Sequence, residues 1–188
     1  MTNIKTIGIA GCGTMGAGIA IVAARAGFRT IVFDERADAL EKARNQTQGF
    51  FAKSIEKGKL TTTRVDAIMD NLIGTTKIDD LAQCDLVIEA VFEDLKVKHA
   101  LLGALNKVCP THTVFASNTS TLSITEIAAG SGRDERVVGM HFCLPAQLMK
   151  LVEMSPGINT SDSAFQNAWE CCVALGQKPV KAKNNPGC

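Results

Sequence analysis

In Lys5-Thr-Ile-Gly-Ile-Ala-Gly11-Cys-Gly13-Thr-Met-Gly16-Ala-Gly-Ile-Ala-Ile-Val22, an apolar, β-branched run passes through a glycine turn into a run of small residues. The first part reads as a buried strand over Ile4–Ala10. The last part reads as a helix from about Met15 to Arg25, stopped by Gly27. The turn between them has the form G-x-G-x-x-G. Alone that pattern is weak, but between a strand and a helix it has a physical meaning. Gly11 permits the tight turn, Gly13 lets backbone approach a phosphate, and Gly16 lets helix pack on strand. The N-terminus of the helix, at Thr14 and Met15, offers free N–H groups and a positive dipole end.

Outward from the turn, strands and helices alternate. Arg29-Thr-Ile-Val-Phe-Asp34 is a second strand, and Asp34 ends it about 20 residues after the glycines. A carboxylate there takes adenosine ribose hydroxyls and repels a 2′-phosphate, so NAD is favoured over NADP. Arg36, close behind, could soften this exclusion, but reads rather as a solvated helix-start residue. Two helical patterns follow, one carrying Leu40, Ala43, Thr47, Phe50, Phe51 and Ile55, the other Val65, Ile68, Met69 and Leu72. A βαβ crossover needs one helix, so the pair reads as an insertion and a candidate for substrate contact. Further strands are expected at Ile73–Thr76, Asp85–Ala90, Thr113–Ser117, Val137–His141, Met149–Met154 and near Pro179. The fold class is α/β: a Rossmann-type, doubly wound, mainly parallel sheet with a helical insertion between strands 2 and 3. Residues 1–183 form one domain, and 184–188 read as a truncated hinge.

Composition narrows the function. The 188 residues are 46% hydrophobic with a formal net charge of +1, which gives no electrostatic reason to expect nucleic acid or an anionic membrane. No apolar run is long enough to span a bilayer, and no leader precedes the first strand, so the expected location is the cytoplasm. The seven cysteines lack a Cys-x-x-Cys pair and read as reduced thiols. The three histidines have no second ligand at metal-site spacing, so no metal is expected.

Four segments sit at or near one edge of the sheet, that of the carboxyl ends where such folds bind ligands: Glu89–Asp94, Ser117-Asn-Thr-Ser120 and Gly139-Met-His-Phe142, which leave strands, and Leu151-Val-Glu153, which lies on the seventh. Together with Gly11–Gly16, the segment Asp85–Lys98 and Met149-Lys-Leu-Val-Glu153, they carry a resemblance over nearly the whole chain. The sequence resembles the 3-hydroxyacyl-CoA dehydrogenase family, close to its bacterial 3-hydroxybutyryl-CoA branch. The resemblance implies NAD as cofactor, an acyl-CoA as substrate, and a C-terminal helical domain that closes the cleft and builds a homo-oligomer. It implies that His141 takes the proton of the substrate 3-hydroxyl, Glu153 orients the imidazole, and Ser120 binds the substrate oxygen near the nicotinamide. It places Glu93, Lys98 and Ala90 on the cofactor side and Lys57 against a CoA phosphate. A histidine paired with a carboxylate is also chemically suited to oxidising an alcohol at neutral pH. Each residue has a plainer reading: Ser120 as a turn cap, Lys98 as a solvated helix residue, and Lys53, Lys57 and Lys59 as a charged surface. Other dehydrogenase classes share a glycine turn with Met-Gly but leave Ser120, His141 and Glu153 unexplained together.

Two departures stand out. The family reads His-Phe-Phe-Asn-Pro where this chain has His141-Phe-Cys-Leu-Pro145. Leu144 cannot replace an asparagine's hydrogen bond, a loss of about 1–2 kcal/mol on the cofactor side. The chain also ends at Pro186-Gly-Cys188, where the family continues. A cleft open on one side holds water and positions a thioester poorly. An NAD-binding module without catalysis of its own is therefore the alternative reading.

Overall fold

The computed structural model describes residues 3–183. The hinge expected at 184–188 lies outside the described residues. Eight strands form one sheet in the order β3-β2-β1-β4-β5-β6-β7-β8. They are β1 (Thr6–Ala10), β2 (Arg29–Phe33), β3 (Leu72–Thr75), β4 (Leu86–Glu89), β5 (Val114–Ser117), β6 (Val137–Phe142), β7 (Leu151–Pro156) and β8 (Lys178–Lys181). The first six run parallel. β7 turns back against β6, and β8 lies parallel to β7. The expected doubly wound, mainly parallel architecture is therefore present, with its order reversing at β1.

Helices cover both faces. α1 (Thr14–Arg25) and α6 (Asp162–Ala174) bury their apolar sides with Ile7, Ile9, Leu86, Ile88 and Met140. α4 (Leu95–Val108) and α5 (Ile124–Ala129) close the other face over Ile31, Val87 and Phe115. Between β2 and β3 lie the two expected helices, α2 (Ala37–Glu56) and α3 (Thr62–Asp70). Phe51 of α2 and Ile68 of α3 are buried against Ile21 and Ala24 of α1. The insertion is thus fastened to the helix that carries the glycine turn.

Local chemistry explains most element ends. The Thr61, Asp94, Ser123 and Ser161 side chains each accept N–H bonds at the start of a helix, which satisfies otherwise orphaned donors. Asp85 accepts the N–H groups of Lys5 and Thr6 at 2.8 and 3.0 Å, and β1 begins at Thr6 rather than Ile4. The seventh strand also starts later than the expected Met149. The N–H groups of Leu148 and Met149 both bond to the Pro145 carbonyl, so the ladder begins only at Leu151. A short 3-10 turn at Ile78–Gln83, absent from the sequence reading, buries Leu81 under the sheet.

Candidate active site

The glycine turn is built as its sequence requires. Gly11 has φ +95°, and a Cβ there would lie 2.8 Å from the carbonyl oxygen of Ala90. Gly16 approaches the Gly11 carbonyl so closely that a Cβ would stand 1.8 Å from its oxygen. Gly13 differs, because nothing lies within 4 Å of a Cβ built on it. That open space, beside exposed Thr14, is where a phosphate can reach the backbone. No side chain caps this end of α1, so its N–H groups remain available. Met15 instead turns inward and packs on the core.

Asp34 follows β2 immediately. Its Oδ2 accepts the Cys12 N–H at 3.0 Å and the Cys12 thiol at 3.3 Å, and its Oδ1 accepts the Arg36 N–H at 3.0 Å. These bonds hold the carboxylate at the mouth of a pocket of about 410 Å³ lined by Gly11, Asp34, Val91, Val97 and Leu101. The apolar walls suit an adenine, and the acid at the rim suits ribose hydroxyls. Arg36 spends its guanidinium on Asp38, which draws it away from a counter-role to Asp34.

At the far side of the same sheet edge lies a second constellation. Nδ1 of His141 is 3.0 Å from Oε2 of Glu153, and Nε2 is 3.2 Å from the Ser120 hydroxyl. The His141 and Glu153 side chains are 28% and 35% exposed, so the pair is sheltered yet reachable. His141 and Glu153 are direct partners in the antiparallel β6–β7 register. Glu153 reaches the expected edge from the first half of a strand that runs back against β6. The arrangement can accept a proton at Nε2 and stabilise the resulting cation through Nδ1.

The Ser120 turn rests on Glu93. That carboxylate accepts the N–H groups of Ser120 and Thr121 at 3.1 and 3.2 Å, the Thr121 hydroxyl at 3.1 Å and the Thr119 hydroxyl. Partial burial by itself pushes the Glu93 carboxyl up. The Thr119 hydroxyl, the Lys98 ammonium and the Thr121 N–H outweigh it and hold the pKa down at about 2. Lys98 is not a solvated helix residue. It is fully buried, with its ammonium 2.7 Å from Glu89 and 3.1 Å from Glu93. Its influence on the cleft therefore passes through Glu93.

The sequence reading missed two residues here. Asn118 accepts the Phe142 N–H at 2.8 Å and so clamps the residue after His141. Glu89 anchors Lys98 from inside the sheet. Signals existed: Asn118 lies within the quoted Ser117–Ser120 motif, and Glu89 is a charge closing an apolar strand. Lys57 is not brought to this cluster. It caps the C-terminal end of α2, exposed on the helical arm. Cys143 is half-buried, and Leu144, where the resembled family has asparagine, is 62% exposed beside the site.

Fold and site together define a dinucleotide-binding dehydrogenase domain. Over residues 6–185 the chain matches the family model of the 3-hydroxyacyl-CoA dehydrogenase NAD binding domain, and it belongs to that family. It is 42% identical over 187 residues to 3-hydroxyadipyl-CoA dehydrogenase of Escherichia coli (strain K12), covering 100% of this chain and 39% of that one. It is 39% identical over 185 residues to a probable 3-hydroxybutyryl-CoA dehydrogenase of Bacillus subtilis (strain 168), covering 98% and 64%. The crystal structure of a 3-hydroxybutyryl-CoA dehydrogenase from Escherichia coli K12 superposes with a TM-score of 0.96 at 42% identity, covering 98% of this chain and 39% of the other. The chain thus spans 39% to 64% of the length of these relatives.

Proposed function

We propose that this chain is the cofactor-binding and proton-transferring part of an enzyme that interconverts 3-hydroxyacyl-CoA and 3-oxoacyl-CoA. The observation that carries the reading is the Ser120–His141–Glu153 line, set on the same sheet edge as the glycine turn. Gly11, Gly13, Thr14, Gly16 and Asp34 would hold NAD, which would supply the acceptor for the hydride leaving C3 of the substrate. Nε2 of His141 takes the hydroxyl proton in the same oxidation and returns it in the reverse direction. Glu153 keeps Nδ1 protonated and stabilises the cation that forms. Ser120 donates its hydroxyl to the substrate oxygen and holds it against Nε2. Ala90 and Glu93 line the approach of the cofactor. Lys57, on the helical arm and away from the His141 cluster, meets a phosphate of CoA in this reading.

The substrate class comes from the family and from the relatives' names; a role in fatty-acid metabolism and a location in the cytoplasm belong to the same proposal. Among the described residues no helix is long and apolar enough to cross a membrane. A helical domain covering the cleft, in the same or a separate chain, and a homo-oligomer built on it, complete the proposal. Leu144 favours a second reading, a domain that binds NAD without turnover, because its exposed side chain offers no hydrogen bond.

The test is NADH oxidation with acetoacetyl-CoA, run beside His141→Gln. Turnover abolished by the substitution supports the dehydrogenase. NADH binding without turnover supports the second reading. Loss of both overturns them together.

A further inference from the structure

Beneath the Ser120 turn lies a polar cluster centred on two buried charges, Glu89 and Lys98. Glu89 ends β4 with no exposed surface. Its Oε2 accepts the Ser117 hydroxyl at 2.6 Å. Its Oε1 accepts the Lys98 ammonium at 2.7 Å and the Val91 N–H at 2.9 Å. Lys98, also fully buried, passes the contact to Glu93, which holds both N–H groups at the Ser120 turn.

A buried ion pair is a poor way to gain stability, because apolar residues of similar volume do as well. Its advantage is direction. Three donors on Glu89 fix one carboxylate rotamer, the carboxylate fixes the ammonium, and the ammonium fixes Glu93. We propose that Glu89 is a positioning residue. Acting through Lys98 and Glu93, it sets the Ser120 turn and so aims the Ser120 hydroxyl at Nε2 of His141. The catalytic consequence rests on the dehydrogenase reading, whereas the geometric one does not.

The experiment uses Glu89→Gln, Ser120→Ala and the double variant. Two quantities are measured: the nitrogen NMR shift of His141 Nε2, and kcat for acetoacetyl-CoA reduction per NADH-binding site. Glu89→Gln is expected to move the Nε2 signal in the same direction as Ser120→Ala. It should lower kcat about tenfold, with KM changed by less than about twofold, the scale of one hydrogen bond made only in the reaction. Added to Ser120→Ala, it should cost nothing further, since both act through one group. A stationary Nε2 signal, or losses that multiply in the double variant, overturns the proposal. A parent protein without turnover sinks the dehydrogenase reading and leaves the NMR signal to decide this one. Should Glu89→Gln fail to fold, Ser117→Ala replaces it. That change removes one donor from the same carboxylate, the Nε2 signal must again move, and a stationary signal overturns the proposal.

Discussion

His141 and Glu153 face each other across the one antiparallel step among the first seven strands, Nδ1 to Oε2 at 3.0 Å. Cross-strand registry rather than a loop sets that distance, so it is stiff. Glu153→Gln keeps the side-chain length but removes the charge that stabilises an imidazolium. Its kcat for acetoacetyl-CoA reduction is expected to fall roughly 100-fold or more, within the range of a lost acid–base contribution. NADH affinity, measured by fluorescence, should stay within about twofold, because the pair lies away from the glycine turn.

Gly13 and Gly16 should part company when each is changed to alanine. At Gly16 the added carbon meets backbone oxygen at 1.8 Å, and neither partner can yield. Gly16→Ala should cost about 1–3 kcal/mol or more in urea unfolding, and NADH binding with it. At Gly13 the carbon enters open space. Gly13→Ala should unfold like the parent yet bind NADH about tenfold or more weakly, since the backbone no longer admits the pyrophosphate.

On the proposed reading, Asp34 sets the choice of cofactor. Like charges a few ångströms apart repel by roughly 1–4 kcal/mol near a protein surface. Asp34→Ser should therefore narrow the preference for NADH over NADPH by at least about tenfold. It also leaves the Cys12 and Arg36 N–H groups without their carboxylate. Paired fluorescence titrations with the two cofactors measure the change.

Glu93 predicts an acid-sensitive joint. Its carboxyl has an ordinary value of 4.5 and is held at about 2 in the folded chain. A depressed pKa adds stability that is complete above 4.5 and drains away as pH falls from there toward 2. Melting temperature measured across that interval should drop more steeply in the parent than in Glu93→Gln. Equal slopes would remove Glu93 as the cause.

The thiols should react unequally. Burial above all pushes Cys12, Cys84, Cys171 and Cys172 up to about 12 and Cys109 to about 11. Among the described cysteines only Cys143 is not buried. In a Cys188→Ser background, a thiol reagent at pH 8 should label one site in the native protein, at Cys143, and the remainder only after denaturation.

What the sequence made legible was whatever it holds in one continuous piece. Strand, turn and helix follow one another from Thr6 to Arg25, so the glycine turn and Asp34 could be read from spacing and chemistry. The roles of Ser120, His141 and Glu153 came through resemblance, because their meeting depends on strands far apart in the chain. The direction of β7 was not read, since a short apolar strand looks alike both ways. A signal was nonetheless present. Residues 143–150, between β6 and β7, are too few for the dozen or so that a parallel crossover needs. Glu89 and Lys98 escaped notice for another reason. Whether a lysine near a helix start is solvated or buried depends on what the opposing strand presents, and that is settled only in three dimensions.

The reversal at β7 also orders events during synthesis. Contacts of the nucleotide turn draw on Gly11, Gly16, Asp34 and, just after β4, Ala90, all in the first half of the chain. The proton-handling pair exists only after Glu153 has emerged and β7 has folded back on β6. A growing chain therefore presents the residues of the dinucleotide turn well before those of the base, yet the core under that turn includes Met140, Val152 and Ala168, so both halves of the site wait on the same late strands and helix.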